Sequence, residues 1–219
     1  MSQKTGKRKL FVCAFNNDPK AVGGLPSLMD EYLGELAKDF DETYFFGFSG
    51  VNNLVDDEKD RDFHRLVRDD GIIFESVDLT KQEYADTYLG LYNDIYWPSF
   101  HRKVEVANPV PNGFAADKKI MDVFAKRMIA LGLSDEDDDC VSNHDYQNMG
   151  LGRALRNNGF EGPISFYLHI PAPDTEVIKQ MVKHGLGTEE QFEEAIPDAL
   201  RANNINVVQD QHSAASLAA

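Results

Sequence analysis

Lys9-Leu10-Phe11-Val12-Cys13-Ala14-Phe15, followed at once by the turn-rich Asn16-Asn17-Asp18-Pro19, decides the fold class. A short apolar run bounded by turn residues reads as a strand buried on both faces, the kind found in parallel sheets. Gly23-Gly24 then precede an amphipathic helix over about 27–38, with Leu28, Tyr32 and Leu36 along one side. A second strand spans 43–48 and is closed by Gly47 and Ser49-Gly50, and a third spans 71–77. Strands alternating with helices of this length predict an α/β, Rossmann-like fold: a mostly parallel sheet with helices on both faces.

The charged stretch 56–68 reads as an exposed helix. Thr80 with Glu83 three positions on is a capping box. The helix it opens carries Tyr84, Tyr88, Leu91 and Tyr92 at three- and four-residue intervals, until Pro98 ends it. Residues 108–113 form a stiff connector, and a long helix follows over about 115–131. A short strand lies near 139–142, a helix over 147–157, a strand over 164–169 and helices over 175–184 and 188–201. Residues 1–208 are expected to form one domain, and the small, polar tail 209–219 to fray.

The 219 residues carry 22 Lys+Arg against 37 Asp+Glu, a net charge of −15. Such a field repels nucleic acid and anionic lipid, so neither nucleic acid nor membrane is an expected partner. It also means that any phosphate site must be built locally. No apolar run reaches bilayer-spanning length, and the basic N-terminus runs straight into strand-like sequence, unlike a signal peptide. Cys13 and Cys140 fit small buried residues of a reducing compartment, which makes the cytoplasm the expected location. The run Asp135–Asp139 reads as a solvated loop, since consecutive carboxylates lack the alternate spacing of a calcium loop. No HExxH or GxSxG occurs, so neither zinc hydrolysis nor a nucleophile elbow is indicated, and no metal or cofactor is expected.

Four places carry candidate chemistry. Gly23-Gly24, between strand and helix, permit close approach of a phosphate, although strand–helix turns need glycine for geometry alone. Trp97, beside Pro98, is placed to leave the packed face of its helix. An indole and a phenol at a pocket lip suit a sugar, whose C–H faces stack while its hydroxyls hydrogen-bond. Asp145 follows a strand at its carboxyl end, where open α/β sheets place ligands; a helix cap is an equal reading there. His169 ends the next strand, stiffened by Pro171 and Pro173.

In order along the chain these segments resemble glycosyltransferase family 20, the trehalose-6-phosphate synthases. Gly23-Gly24-Leu25 resembles the family's glycine-rich loop, and Phe46-Gly47-Phe48-Ser49-Gly50 its FGWSG-type strand end. Tyr88, nine residues before Trp97-Pro98-Ser99-Phe100-His101, matches the tyrosine and Trp-Pro block. Asn112 with Ala116-Asp117-Lys118 resembles a helix opening, His144-Asp145-Tyr146 the HDYH motif, and Tyr167–Pro173 with Glu176 the FLHIPFPxxE segment. The likeness runs over about 9–178. It implies one half of a GT-B glycosyltransferase, with Tyr88, Trp97 and Asp145 holding a sugar or sugar-phosphate acceptor. His169 and Asp145 would stand at the reaction centre, and Gly24 would meet the diphosphate of a nucleotide-sugar co-substrate. The implied reaction is metal-free, retaining glycosyl transfer of the trehalose-forming type.

The chain also departs from the pattern. Asn16 stands at the acceptor-site position of the family's phosphate-gripping arginine, Gln147 closes HDYH, and the connector before Asn112 is short. The donor domain's basic and acidic residues have no counterpart in the 219 residues. A separate donor-domain subunit or a homo-oligomer would then complete the enzyme, which is expected to be inactive alone. The alternatives are a non-catalytic sugar-binding or regulatory module, or a truncated family member.

Overall fold

The computed structural model describes residues 6–16 and 32–208. Among them, β1 (Lys9–Asn16), β2 (Glu42–Phe48), β3 (Phe63–Val67), β4 (Ile73–Val77), β5 (Cys140–His144), β6 (Ile164–Tyr167) and β7 (Ile205–Val207) form one sheet in the order β3-β4-β2-β1-β5-β6-β7. Every neighbouring pair is parallel except β3 with β4. The α/β, Rossmann-like expectation is met.

The two-residue period of a strand explains why β1 is apolar throughout. Leu10, Val12 and Ala14 face one layer with Phe45, Ile72 and Phe74, covered by the helical residues 32–39 through Tyr32, Leu33 and Leu36. Phe11, Cys13 and Phe15 face the larger core under the helices of the opposite side. Cys13 is buried, as expected, whereas Cys140 is only half-buried, and neither is in a disulfide. The sheet leaves β1 in one direction through β2 and β4, then returns to place β5 on its other flank. The gap beyond the carboxyl ends of β1 and β5 is therefore the topological switch point, where open α/β sheets take their ligands.

The stretch 56–68 corrects the sequence reading. It holds a short 3-10 turn, Glu58–Asp60, and then the strand β3, antiparallel to β4. Tertiary pairing overrides the charged, helix-like pattern: Arg65 Nε donates to Glu75 Oε2 on β4 at 2.8 Å, and the Arg127 guanidinium lies over Phe63, 4.4 Å from its ring. The acidic run is also less solvated than its composition suggests. Asp139 is buried and accepts from the backbone N–H of Lys9 at 2.6 Å and of Ser134 at 2.9 Å.

The helix over 81–100 begins as expected. Thr80 and Glu83 form the capping box, exchanging bonds of 3.1 and 2.9 Å. It then departs from α geometry. Ala85–Tyr96 winds as a π-helix, in which the N–H of Trp97 reaches back to Tyr92 O. Pro98 does not end it, because an α turn, Trp97–Phe100, continues through the proline. In α register the missing proline N–H would leave Asp94 O without its partner; that carbonyl is taken by Asn108 N–H at 3.1 Å, from the connector that follows. The long helix Gly113–Ala130 then leads to β5. Leu151–Asn157 crosses from β5 to β6, and Thr175–Lys183 with residues 189–201 from β6 to β7.

Candidate functional site

Asp145 follows β5 in a backbone conformation that side chains rarely adopt, φ 70°, ψ 164°. That region is essentially glycine's, and holding another residue there costs on the order of 1–3 kcal/mol. Neighbours enforce it. The Asp145 N–H donates to Tyr167 O at 2.8 Å, and Asp145 O accepts from Asn148 N–H at 3.1 Å. Asn148 Nδ2 donates to His144 O at 3.0 Å, and Asn143 Nδ2 to Asn148 O at 2.8 Å, so two buried amides brace the turn. The carboxylate accepts from Tyr146 N–H at 3.0 Å and caps the 3-10 turn Tyr146–Asn148. Asp145 thus caps a turn, as one sequence reading expected, while being held in a strained pose that capping alone does not require. Burial pushes its carboxyl above the ordinary range, against the pull of the Tyr146 and His169 backbone and of the His169 ring.

His169 is brought beside it from the end of β6. Its Nε2 lies 3.0 Å from His144 Nδ1, and His144 Nε2 lies 3.0 Å from Ser142 Oγ. The His144 ring is 1% exposed. It stacks on His169 at 5.3 Å and on Tyr167 at 4.9 Å, and Tyr32 meets its edge. Burial, together with the neighbouring His169, drives His144 down to about 3, so it is neutral at physiological pH. Burial also lowers His169, while the Asp145 charge partly restores it. The sequence reading singled out Asp145 and His169; it missed Ser142, whose signal is position. In a strand, Ser142 and His144 share a face.

Tyr88 stands half-buried next to this turn. Its ring stacks on Phe15, at the end of β1, at 5.4 Å and on Tyr84 at 5.1 Å, and Tyr92 bridges Phe15 to Tyr146 by edge contacts. Trp97 is 46% exposed, and its ring lies tilted by 33° against His101 at 4.5 Å. An α-helix would put residues nine apart on opposite sides. The wider i→i+5 winding of Ala85–Tyr96 turns less per residue than an α-helix, so nine residues come round closer to one side. The expected roles of both require that winding. Tyr92 belongs to the core: it is fully buried and donates its hydroxyl to Asp117.

The structure thus brings Asp145 and His169 together, with Tyr88 reaching the same turn beside Tyr146, while Trp97 is exposed. Asn16 pairs with Phe48 as the last residue of β1, at the switch point, and Gly24 lies outside the described residues. A cavity of about 400 Å³ lies elsewhere, between the long helix and residues 189–201, lined by Phe114, Asp117, Met121 and Arg153. It includes none of the sequence-predicted site residues. Among the described residues no His, Cys, Asp or Glu cluster is arranged to hold a metal ion, and no helix is long and apolar enough to cross a membrane.

Sheet order, switch point and polar strand ends define a Rossmann-like α/β unit of the kind that builds GT-B glycosyltransferases. The sequence matches glycosyltransferase family 20 over residues 18–185, and the chain belongs to that family. It is 27% identical over 161 residues to the trehalose-6-phosphate synthase of Sodalis glossinidius, covering 74% of this chain and 30% of that protein. It is 30% identical over 164 residues to the bifunctional trehalose-6-phosphate synthase/phosphatase of Thermoproteus tenax, covering 73% and 21%. The fold superposes with a TM-score of 0.75 on the trehalose-phosphate synthase of Burkholderia xenovorans solved with glucose 6-phosphate, at 23% identity, over 96% of this chain and 42% of that one. The chain therefore spans less than half the length of these relatives.

Proposed function

We propose that this chain binds an acceptor sugar at the carboxyl ends of β1, β5 and β6 and, joined to a donor-binding domain, transfers a glycosyl group to it from a nucleotide sugar. The single observation that carries this reading is Asp145. A carboxylate held at φ 70° stores strain of the kind that persists where function selects it. An anionic carboxylate accepts hydrogen bonds from two adjacent hydroxyls, the pattern a pyranose ring offers. The half-buried phenol of Tyr88 and the exposed indole of Trp97 supply stacking surfaces. His169 stands beside Asp145, on the side where a donor sugar would meet the acceptor.

Transfer needs more than these residues provide. A departing nucleoside diphosphate is stabilised by fixed positive charge aimed at it. A backbone N–H and a helix N-terminus, the sequence expectation for Gly23-Gly24, would contribute about 1 kcal/mol each. The 219-residue polypeptide alone is therefore expected to turn over negligibly. The test is disaccharide formation from a nucleotide sugar and glucose or glucose 6-phosphate, with and without the separately produced donor-binding half of a relative. Product only in the mixture is the expected result. Enzyme-like rates from the polypeptide alone would contradict the need for a partner. Sugar binding without product in either case would favour a sugar-binding module.

A further inference from the structure

We infer that the cavity of about 400 Å³ between the long helix and residues 189–201 is a second binding site, which takes a small zwitterion of the amino-acid type with its ammonium on Asp117 and its carboxylate on Arg153. The inference goes beyond the acceptor-site reading and shares none of its residues. The volume falls within the range of small-molecule sites, about 300–1,000 Å³. Gly150, Ala154, Ala195 and Ala199 leave the space open, and Phe114 and Met121 give it apolar walls. Asp117 is set against the start of Leu151–Asn157, where a Cβ on Gly150 would stand 3.4 Å from Asp117 Oδ2. Oδ1 takes the Tyr92 hydroxyl, so Oδ2 is the oxygen on the Gly150 side. Arg153 follows three residues later, on that same side of the helix.

The charges around the cavity decide what fits. Lys118 pairs with Glu194 at 2.6 Å, Lys119 with Glu58 and Glu83, and Asp122 with Lys126 at 2.6 Å. The two charges left are Asp117 and Arg153, and among the described residues neither forms an ion pair. Arg153 is half-buried and donates Nη2 to Asp198 O at 2.7 Å. A guanidinium has five N–H donors, so that one carbonyl leaves others for a ligand. Burial raises the Asp117 carboxyl to about 7, and no cation draws it back down. A charge in such a wall is costly until a counter-charge meets it. A simple anion would answer Arg153, leave Asp117 unmatched and enter against the net charge of −15. A simple cation would leave Arg153 unmatched. A zwitterion answers both, is neutral to the overall field, and lays an apolar side chain on Phe114 and Met121.

The ¹⁵N-labelled chain is titrated, with amide shifts as the readout, against L-leucine, against 4-methylpentanoate, which lacks the ammonium, and against isopentylamine, which lacks the carboxylate. The expected result is saturable shifts centred on Gly150, Arg153 and Gln191 with leucine. Each truncated probe should bind about tenfold to a hundredfold more weakly, the loss of one charge-assisted hydrogen bond. Arg153→Gln should bring leucine down to the affinity of isopentylamine. Asp117→Asn, still an acceptor for Tyr92, should bring it down to that of 4-methylpentanoate. Glucose should not displace leucine from the wild type. No response to leucine or to the bulkier L-phenylalanine would overturn the inference. So would equal affinity for leucine and either truncated probe, or shifts that leave Gly150 and Arg153 unmoved.

Discussion

At the scale of single residues, two positions carry the account, and the sequence disclosed them unequally. Asp145 and His169 were legible because each follows a strand and falls in a recognisable motif. The strain at Asp145 was not legible: no local pattern announces φ 70°, which arises from the Asn143 and Asn148 amides and from Tyr167 O across the sheet. Nor was the His144–His169 contact legible, since it joins residues 25 apart in sequence. Asn16 is the residue whose identity bears most on specificity. An amide does not replace the bidentate, charged fork of an arginine on phosphate, and the net charge of −15 offers no compensating field. The chain is accordingly expected to favour glucose 6-phosphate over glucose less strongly than full-length relatives do. Parallel calorimetric titrations of both sugars into this chain and a relative check it, and an equal or greater preference here would refute it.

At the scale of elements, the helix over 81–100 was found by its capping box and its tyrosines, yet its winding was not. Three- and four-residue spacing reads as α, and the π register is decided by what packs against the helix. Gly90 is where the connector presses: a Cβ there would come within 2.6 Å of the Val110 side chain and 3.1 Å of Ala85 O. Gly90→Ala should therefore lower stability by about 1–3 kcal/mol, as overpacking does, read from the urea midpoint. A neutral result would mean the connector is free to move away. The helix is also tied to the next one by the Tyr92 hydroxyl on Asp117. Burial raises the Asp117 carboxyl to about 7, opposed by that bond. The folded state then holds a proton that the unfolded chain releases near 4, so this group costs stability as pH climbs from about 4 to 7, by at most roughly 1.4 kcal/mol per pH unit. Asp117 lines a cavity and is partly solvated, which places the true slope below that limit. Asp117→Asn, still an acceptor for Tyr92, should match the wild type near pH 4 and exceed it at pH 8. Parallel curves across that range would show that Asp117 titrates normally.

At the scale of the whole molecule, the sheet was readable because buried parallel strands announce themselves as apolar runs: β1 and β2 do so outright, β4 and β6 are apolar but for one or two polar residues, and β5, Cys140-Val141-Ser142-Asn143-His144, showed by its place between helices. The antiparallel edge strand β3 was missed because Phe63, Leu66 and Val67 do not alternate with its polar residues and mostly stay exposed, and its pairing depends on Glu75 and Arg127 elsewhere in the chain. We propose that the ligand edge lies at the switch point between β1 and β5 and that Asp145 there serves a sugar. Asp145→Gly tests it most directly, because glycine accepts φ 70° without strain while removing the carboxylate. Isothermal titration with glucose, paired with thermal unfolding of the same sample, should show affinity weakened about tenfold to a hundredfold, the loss of a charge-assisted hydrogen bond of about 1.5–3 kcal/mol, with the unfolding midpoint held or raised. Unchanged sugar affinity with a lowered midpoint would show instead that Asp145 is a structural cap.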